Sequence, residues 1–339
     1  MSGLFPWHAA AWQQLQRMRE RLPHAILFHG PQGTGKTVFA EQFAQALLCT
    51  APQPGGFACG ACEACGWFRQ YAHPDYRRVR PEALEDELPE EDGETKKSAK
   101  TRTPSKEIKI DQVRALGDFM SVSTHRQGLR VVLLYPAEAL NPAAANALLK
   151  TLEEPPPATV FLLVSNGIER LLPTILSRCR KFALPMPEAG QALAWLEQQG
   201  VADAADWLAE QGGAPLAAHA LSQDGARALQ DEFLQALAKP DAEAALKTAE
   251  RLQKAPVPEL VLWQQRWLYD VLALKLCGRI RYYPRYRNAL QRLAAHAATP
   301  DLLRLAKAAN ERRAVAEHPL AARLFIEDML LEYASAMSA

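Results

Sequence analysis

The sequence lacks any long apolar run. No stretch of about 18 apolar residues occurs in the 339-residue chain, so we expect no membrane span. Residues 1–23 reach arginine and glutamate quickly and have no apolar core of the kind that secretory signals carry. These two absences predict a cytoplasmic protein that has no membrane partner.

A strong net charge is also missing. Thirty-nine Lys and Arg residues face 38 Asp and Glu residues, which leaves a formal charge of +1. This balance gives no global electrostatic reason to bind nucleic acid or a membrane surface. Cysteine is scarce, with six residues, and in the cytoplasm we expect thiols or metal ligands rather than disulfides.

Short apolar runs alternate with helical patterns up to about residue 186. The runs that predict buried strands lie at 24–30, 129–135, 159–166 and 180–185. Helical periodicity follows at 38–48, 143–154 and 171–179, and 108–122 predicts a strand and then a helix with Asp111 as its N-cap. This alternation predicts an α/β fold with a mostly parallel sheet covered on both faces.

Strand signals stop at Glu188, and the remainder is rich in Ala, Leu and Gln at helical spacing. We expect boundaries near 186 and 225, which would give an α/β domain at 1–186 followed by helical domains at 187–225 and 226–339. Residues 82–107 interrupt the first domain by switching from acidic to basic with almost nothing apolar. Such a segment cannot bury enough surface to order itself, so we expect a mobile loop without a role that its residues define.

The stretch GPQGTGKT, residues 30–37, fits the phosphate-binding loop G-x-x-x-x-G-K-[ST] between a predicted strand and a predicted helix. The glycines let backbone N–H groups turn toward phosphate oxygens, Lys36 would reach the β- and γ-phosphates, and Thr37 would hold Mg²⁺. A glycine turn that binds nothing is the alternative. The predicted nucleotide-binding residues are Gly30, Gly33, Thr34, Gly35, Lys36 and Thr37.

The acidic residue that hydrolysis needs is missing from its expected position at the end of a strand. Phosphate-loop enzymes hold Mg²⁺ with an acidic residue at the end of a second strand. The strand at 129–135 instead ends in Tyr135 and Pro136. Glu138 and Asp111 are weaker candidates for that carboxylate. We therefore expect ATP or ADP, with Mg²⁺, to be bound without hydrolysis.

Four cysteines are spaced for one metal ion. Cys59, Cys62 and Cys65 form C-x-x-C-x-x-C, and Cys49 lies ten residues upstream. Four thiolates make a closed tetrahedral zinc site, which is structural because it leaves no open position. An iron–sulfur cluster and a redox C-x-x-C pair are the alternatives. Outside this cluster, Cys179 and Cys277 are expected to be core thiols.

The stretch NALLKTLEEPP (146–156), followed by PTILSRC (173–179), resembles the bacterial DNA polymerase III clamp-loader family of AAA+ proteins. The four cysteines and three further stretches are similar to the delta-prime branch of that family. These stretches are HAILFHGPQGTGKT (24–37), HPDY (73–76) and DQVR (111–114). The similarity is specific over about residues 20–185 and weaker in the helical remainder.

The resemblance implies an AAA+ domain with an inserted zinc module at 49–65, then a helical lid at 187–225 and a helical collar at 226–339. The collar would build a five-subunit ring with gamma/tau-type ATPase subunits and a delta subunit. That ring opens the sliding clamp and places it on primed DNA. Any nucleotidyltransferase activity would belong to the DNA-directed DNA polymerase holoenzyme, because no set of carboxylates for that chemistry is evident here.

The resemblance also implies which steps this chain omits. Motor subunits of the family carry an Asp-Glu pair where this chain has Tyr135 and Pro136. They carry a lid arginine where this chain has Pro215. Both losses match delta-prime, a rigid stator that does not hydrolyse ATP. The intact phosphate loop is more than a pure stator needs.

Arg178 is the predicted catalytic residue. In the family, the arginine of the S-R-C motif projects into the ATP site of the neighbouring subunit. A guanidinium supplied in trans stabilises the charge on a transferring phosphoryl group. The residues alone favour a plainer alternative, a surface arginine that pairs with a local carboxylate.

Two other functions compete with the stator. One is an active ATPase motor subunit of the same complex, which Tyr135, Pro136 and Pro215 argue against. The other is a stand-alone nucleotide- or DNA-binding module that uses its zinc knuckle. Residues 66–73, GWFRQYAH, interleave aromatic and basic side chains only modestly, and a helix packed on the zinc site explains them equally well.

Overall fold

The computed structural model describes residues 3–85, 104–121, 124–125, 128–223, 227–317 and 321–337. The chain divides into two compact units, Met1–Glu188 and Ala189–Ala339. Most of the expected mobile loop at 82–107, and the expected boundary near 225, lie outside the described residues. Across the described ranges, no helix has the length and apolar character needed to cross a membrane.

Five parallel strands form the sheet of the first unit in the order β2-β3-β4-β1-β5. The strands are β1 (Ala25–His29), β2 (Tyr76–Val79), β3 (Arg130–Leu134), β4 (Thr159–Ser165) and β5 (Arg180–Ala183). Four of them match predicted apolar runs. The sequence did not reveal β2, because two arginines stand between its buried residues Tyr76 and Val79.

Helices cover both faces of this sheet. They are α1 (Ala9–Met18), α2 (Lys36–Leu48), α3 (Glu63–Arg69), α4 (Ile110–Ser121), α5 (Pro142–Glu153) and α6 (Pro173–Arg178). Side chains of β1 alternate between the faces, as the period of a strand requires. Ile26 and Phe28 join the core beneath α2, whereas Ala25 and Leu27 join the core beneath α5 and α6.

The carboxyl ends of β1, β3 and β4 meet at one edge of the sheet. His29 of β1 lies opposite Ser165 of β4, and Leu134 of β3 lies opposite Leu163 of β4. The segments that follow these three strands therefore lie close together. Ligands of open parallel sheets bind outside such an edge.

The predicted strand and N-cap before α4 are wrong in detail. Ile108 forms only a single bridge with another segment, and the helix begins at Ile110, so Asp111 is already helical. The backbone N–H of Lys109 donates to the side-chain oxygen of Gln112 at 2.9 Å. This is the returning half of a capping box, a signal that Gln112 carried in the sequence.

The two described ends of the 82–107 segment contact each other. The backbone N–H of Ser105 donates to the carboxylate of Glu82 at 3.1 Å, and Lys109 binds the other oxygen at 2.7 Å. The base of the segment is thereby closed by polar contacts.

The second unit is helical over its described residues. Its helices are α7 (Ala189–Gln198), α8 (Ala204–Glu210), α9 (Pro215–Gln223), α10 (Arg227–Ala238), α11 (Ala242–Leu252), α12 (Val257–Cys277), α13 (Arg287–His296), α14 (Thr299–Val315) and α15 (Ala322–Met337). Helices α7–α9 share one apolar core, and α10–α15 share another. This arrangement is compatible with separate lid and collar domains, which stay a prediction.

Two groups of buried polar side chains in the second unit have specific partners. The indole N–H of Trp267 donates to the hydroxyl of Tyr333 at 2.8 Å, and that hydroxyl donates to the carbonyl of Leu237 at 2.9 Å. The fully buried carboxylate of Glu210 in α8 contacts Arg227 at 3.1 Å and Arg285 at 3.0 Å. These contacts tie α8 to the helices that follow it.

Candidate functional site

The phosphate loop lies where the sequence predicted, between β1 and α2. Gly30 has φ +155°, and a Cβ there would lie 2.0 Å from the carbonyl oxygen of Leu184. Only glycine therefore fits at this position. Gly33 and Gly35 have φ +76° and +86°, the left-handed region that glycine adopts without strain. Thr34 and Thr37 flank Gly35 and Lys36 in the same turn.

Lys36 is held inside the loop. Its Nζ donates to the carbonyl oxygen of Pro31 at 2.6 Å, and the side chain of Thr34 donates to the same oxygen at 3.0 Å. Burial lowers the pKa of Lys36 to about 8, and the negative charge of Glu138 opposes that shift. The ammonium therefore stays mostly protonated at neutral pH and loses its proton around pH 8.

The N-terminal segment packs on the loop, which the sequence did not indicate. The indole N–H of Trp7 donates to the backbone oxygen of Thr34 at 2.8 Å, and Phe5 stacks on Trp7 at 5.0 Å. A Cβ at Gly35 would lie 2.5 Å from the Phe5 ring. Burial lowers the pKa of His8 to about 4; the nearby Lys36 also lowers it, against a backbone hydrogen bond with Thr34.

The end of β3 carries no carboxylate. Tyr135 and Pro136 follow the strand directly. Glu138 lies two residues after Pro136, and both of its oxygens accept the backbone N–H of Asn166, at 3.0 and 3.3 Å. Asp111, the other candidate ligand, is an exposed residue of α4 that pairs with Arg114 at 3.8 Å.

A cluster of charged side chains fills the space beside Tyr135. Glu41 of α2 contacts Arg78 of β2 at 3.6 Å, and the guanidinium of Arg78 lies over the ring of Tyr71 at 3.7 Å. Arg80 is buried and follows Val79, whose carbonyl accepts the backbone N–H of Tyr135 at 3.0 Å, so Arg80 lies at the same end of the sheet as Tyr135. Burial raises the pKa of Tyr135; the negative charge of Glu41 adds to that shift, and the positive charges of Arg78 and Arg80 oppose it. Burial raises the pKa of Glu41, and Arg78 is the strongest opposing influence. We call Glu41, Arg78, Arg80 and Tyr135 the Arg80 cluster.

Arg178 ends α6 and is about one-third exposed, with its side chain at 30% of full accessibility. Its guanidinium pairs with the carboxylate of Glu153, at the end of α5, and donates to the carbonyl of Thr174 at 2.9 Å and the hydroxyl of Ser177 at 3.2 Å. Sequence proximity did not reveal Glu153, which lies 25 residues upstream. Within this chain, the plainer alternative of a paired arginine therefore describes Arg178.

The four predicted cysteines converge on one point. Their sulfur atoms all lie within 4.8 Å of one another, with Cys49 and Cys62 at 3.9 Å and Cys59 and Cys65 at 4.0 Å. A tetrahedral zinc ion with bonds of about 2.3 Å needs sulfurs about 3.8 Å apart. Backbone N–H groups of Cys59, Cys62 and Cys65 point at the sulfurs of Cys49, Cys59 and Cys62 respectively, at 3.2–3.4 Å. The donor set and its spacing fit a structural zinc ion.

The thiols of the cysteine cluster fall into two pairs: backbone hydrogen bonds lower the pKa of Cys59, whereas burial raises the pKa of Cys49 and of Cys65. Burial works against the thiolate of Cys62, but hydrogen bonds from Thr50 and from the backbone of Cys65 outweigh it and lower its pKa to about 5. Gly60 has φ +73°, the left-handed turn that lets Cys59 and Cys62 face one ion. Zinc bound here would tie the end of α2 to the start of α3.

The two remaining cysteines differ. Cys179 is buried in the core beneath α5 and α6, as predicted. The prediction for Cys277 is wrong, because it lies exposed in the last turn of α12, beyond the apolar core of α10–α15. Pro215, which the sequence resemblance matches to an arginine of motor subunits, is the first residue of α9.

Comparisons with known proteins agree with these features. The family model described as DNA polymerase III, delta subunit matches residues 7–188. A protein named DNA polymerase III subunit delta' from Pseudomonas aeruginosa is 39% identical over 81% of this chain and 79% of that protein. The protein of the same name from Escherichia coli is 33% identical over 58% of this chain and 53% of that protein.

A solved structure, that of a DNA polymerase III gamma subunit-related protein from Thermotoga maritima, is 15% identical with a TM-score of 0.46. The match covers 96% of this chain and 99% of that chain. The family match spans the phosphate loop, the four cysteines and the sheet of the first unit. The chain belongs to the delta-prime family of DNA polymerase III subunits, and its first unit has the AAA+ phosphate-loop fold.

Proposed function

We propose that this chain is a non-hydrolysing subunit of a cytoplasmic clamp loader and supplies Arg178 to the nucleotide site of a neighbouring subunit. Its partners would be gamma/tau-type ATPase subunits and a delta subunit, and through the assembled ring the sliding clamp and primed DNA. The observation that carries the proposal is a complete phosphate loop beside a strand end, Tyr135 and Pro136, that has no carboxylate.

The position of Arg178 supports a role in trans. Its side chain is partly exposed at the end of α6, and its acidic partner Glu153 is more exposed still, at 49%. Exposed ion pairs contribute only about 0–1 kcal/mol, so a phosphate on a neighbouring subunit can compete with Glu153. A guanidinium released in this way can bind phosphate oxygens in pairs.

The test is reconstitution with the ATPase and delta subunits, followed by measurement of DNA-stimulated ATP turnover. We expect Arg178→Ala to lower the turnover of the site it completes by about 10³-fold or more, as trans arginines do elsewhere. Arg170→Ala, another exposed arginine near the same helix, is the matched control and should leave turnover unchanged. Normal turnover with Arg178→Ala in an intact complex would remove the trans role.

One observation favours the competing motor function: Glu138 acts electrostatically on Lys36 of the loop. A carboxylate in that place is the kind of group that could position Mg²⁺ or water. The isolated chain distinguishes the two functions. A stator shows no ATP turnover above background, whereas a motor shows turnover that Lys36→Ala and Glu138→Gln both abolish.

A further inference from the structure

The face of α2 that follows the phosphate loop carries Thr37 and, one turn later, Glu41. Residues four apart lie on one face of a helix, and Glu41 of this face contacts Arg78 of β2, the strand next to β3. In phosphate-loop enzymes, Mg²⁺ sits between the loop hydroxyl and a carboxylate at this strand end. Here Tyr135 follows the strand, and its phenol, whose pKa burial raises, is a poor substitute for that carboxylate.

The side chains around Tyr135 carry a net positive charge, whereas a Mg²⁺ site needs negatively charged ligands. Glu41 supplies one negative charge to the Arg80 cluster, and Arg78 and Arg80 supply two positive charges, which leaves +1. Glu41 is already held by Arg78 at 3.6 Å. Hard cations bind where several oxygen ligands of negative charge converge, so the Arg80 cluster does not fit Mg²⁺.

The remaining carboxylate near the loop is also engaged. Both oxygens of Glu138 accept the backbone N–H of Asn166, and its charge acts on Lys36. Using Glu138 as a metal ligand would remove a negative charge that supports the buried ammonium. Among the described residues around the loop, cationic groups therefore outnumber available carboxylates.

We propose that the loop binds a nucleoside triphosphate or diphosphate without Mg²⁺, and that Arg80 supplies the positive charge at the position the metal would take. The inference rests on the proposed nucleotide binding and adds that the bound nucleotide carries no Mg²⁺. Arginine is suited to this role because its planar guanidinium binds phosphate oxygens in pairs and keeps its charge. A site without Mg²⁺ also lacks the ion that neutralises charge during phosphoryl transfer, which is consistent with binding without turnover.

The experiment is calorimetric titration of the full-length chain with ATP and with ADP, in metal-stripped buffer and again with excess Mg²⁺. No chelator is added, so that zinc stays bound. We expect binding in the absence of Mg²⁺, with affinity unchanged or weakened when Mg²⁺ is added, because Mg²⁺ sequesters the free nucleotide. A gain of about tenfold or more on adding Mg²⁺ would overturn the proposal.

Variants separate the charge of Arg80 from its packing. Arg80→Met should weaken Mg²⁺-free binding by about tenfold, since a hydrogen bond to a charged group is lost. Arg80→Lys, which keeps the charge, should retain most of the binding and guards against misfolding of the methionine variant. The matched control is Arg77→Met in β2, the strand that Arg80 follows. The Arg77 guanidinium lies over Phe119 at 4.6 Å, so this variant should leave binding unchanged.

The remaining outcomes are also decisive. If binding needs Mg²⁺ and Glu138→Gln abolishes that need, Glu138 is the metal ligand and the proposal fails. If no nucleotide binds under either condition, nucleotide binding itself fails, and this inference fails with it. The subunit role would survive that result, because the Arg178 reconstitution measures it independently.

Discussion

Loss of zinc should unfold the cysteine module and destabilise the first unit. Zinc that binds the folded state stabilises it by RT ln(1 + [Zn]/Kd), which is about 4 kcal/mol when free zinc exceeds Kd a thousandfold. The module carries side chains that the rest of the unit needs. Trp12 stacks on Phe57 at 4.7 Å and donates to the carbonyl of Gly55 at 2.9 Å, while Phe68 packs on Tyr76.

The comparison is between two buried cysteines, Cys65 in the cluster and Cys179 in the opposite core. Each alanine variant loses a similar sulfur contact, worth about 1 kcal/mol as packing. Only Cys65→Ala also loses the zinc contribution of about 4 kcal/mol. For a unit of 188 residues, this difference corresponds to a fall in Tm of roughly 8–16 °C.

The assay is metal analysis together with a thermal melt, before and after EDTA. Wild type and Cys179→Ala should carry one zinc per chain and lose Tm in EDTA. Cys65→Ala should carry little zinc and show no further loss. One full equivalent of zinc and a wild-type Tm in Cys65→Ala would refute the reasoning, as would a reduced, zinc-free wild-type chain of normal stability.

Two further predictions follow from buried polar groups. Tyr333→Phe should lower the free energy of unfolding by about 2–3 kcal/mol, because it leaves the buried indole N–H of Trp267 and the carbonyl of Leu237 unpaired. Tyr269→Phe, at an exposed position of α12, should stay within about 0.5 kcal/mol in the same thermal or urea melt, and equal effects would contradict the hydrogen-bond account. Nucleotide affinity should fall about tenfold per pH unit above pH 8, since burial lowers the pKa of Lys36 to about 8 and only the protonated ammonium attracts phosphate. Affinity that is constant from pH 7 to about 9.5, or a slope that persists in Lys36→Met, would contradict this assignment.

Much of the site was predictable because its signals are local. The phosphate loop depends on glycine conformations and on one strand and one helix that are adjacent in sequence. The cysteine cluster depends on two-residue gaps that bring neighbouring sulfurs to one side of a turn. Such patterns survive in a single sequence, since most of the residues that must meet are a few positions apart, and Cys49 meets Cys62 across only 13 residues.

Other parts of the site could not be predicted, because they join segments that are distant along the chain. Trp7 contacts the loop across 27 residues. Glu153 meets Arg178 only because α5 and α6 pack side by side. The Arg80 cluster forms because β2 lies next to β3 at the edge of the sheet. The sequence did not predict β2, since two arginines interrupt its apolar pattern.

The sequence by itself determined the chemistry available to this protein: a phosphate loop, four thiolates, a strand end without acid and an arginine after a short helix. Periodicity and spacing record such local requirements directly. The tertiary structure alone decided which charges surround each group, because strand order and helix packing place Glu41, Arg80 and Glu138. Electrostatics acts through space rather than along the chain, so the ionic character of the loop emerges only once the sheet is assembled.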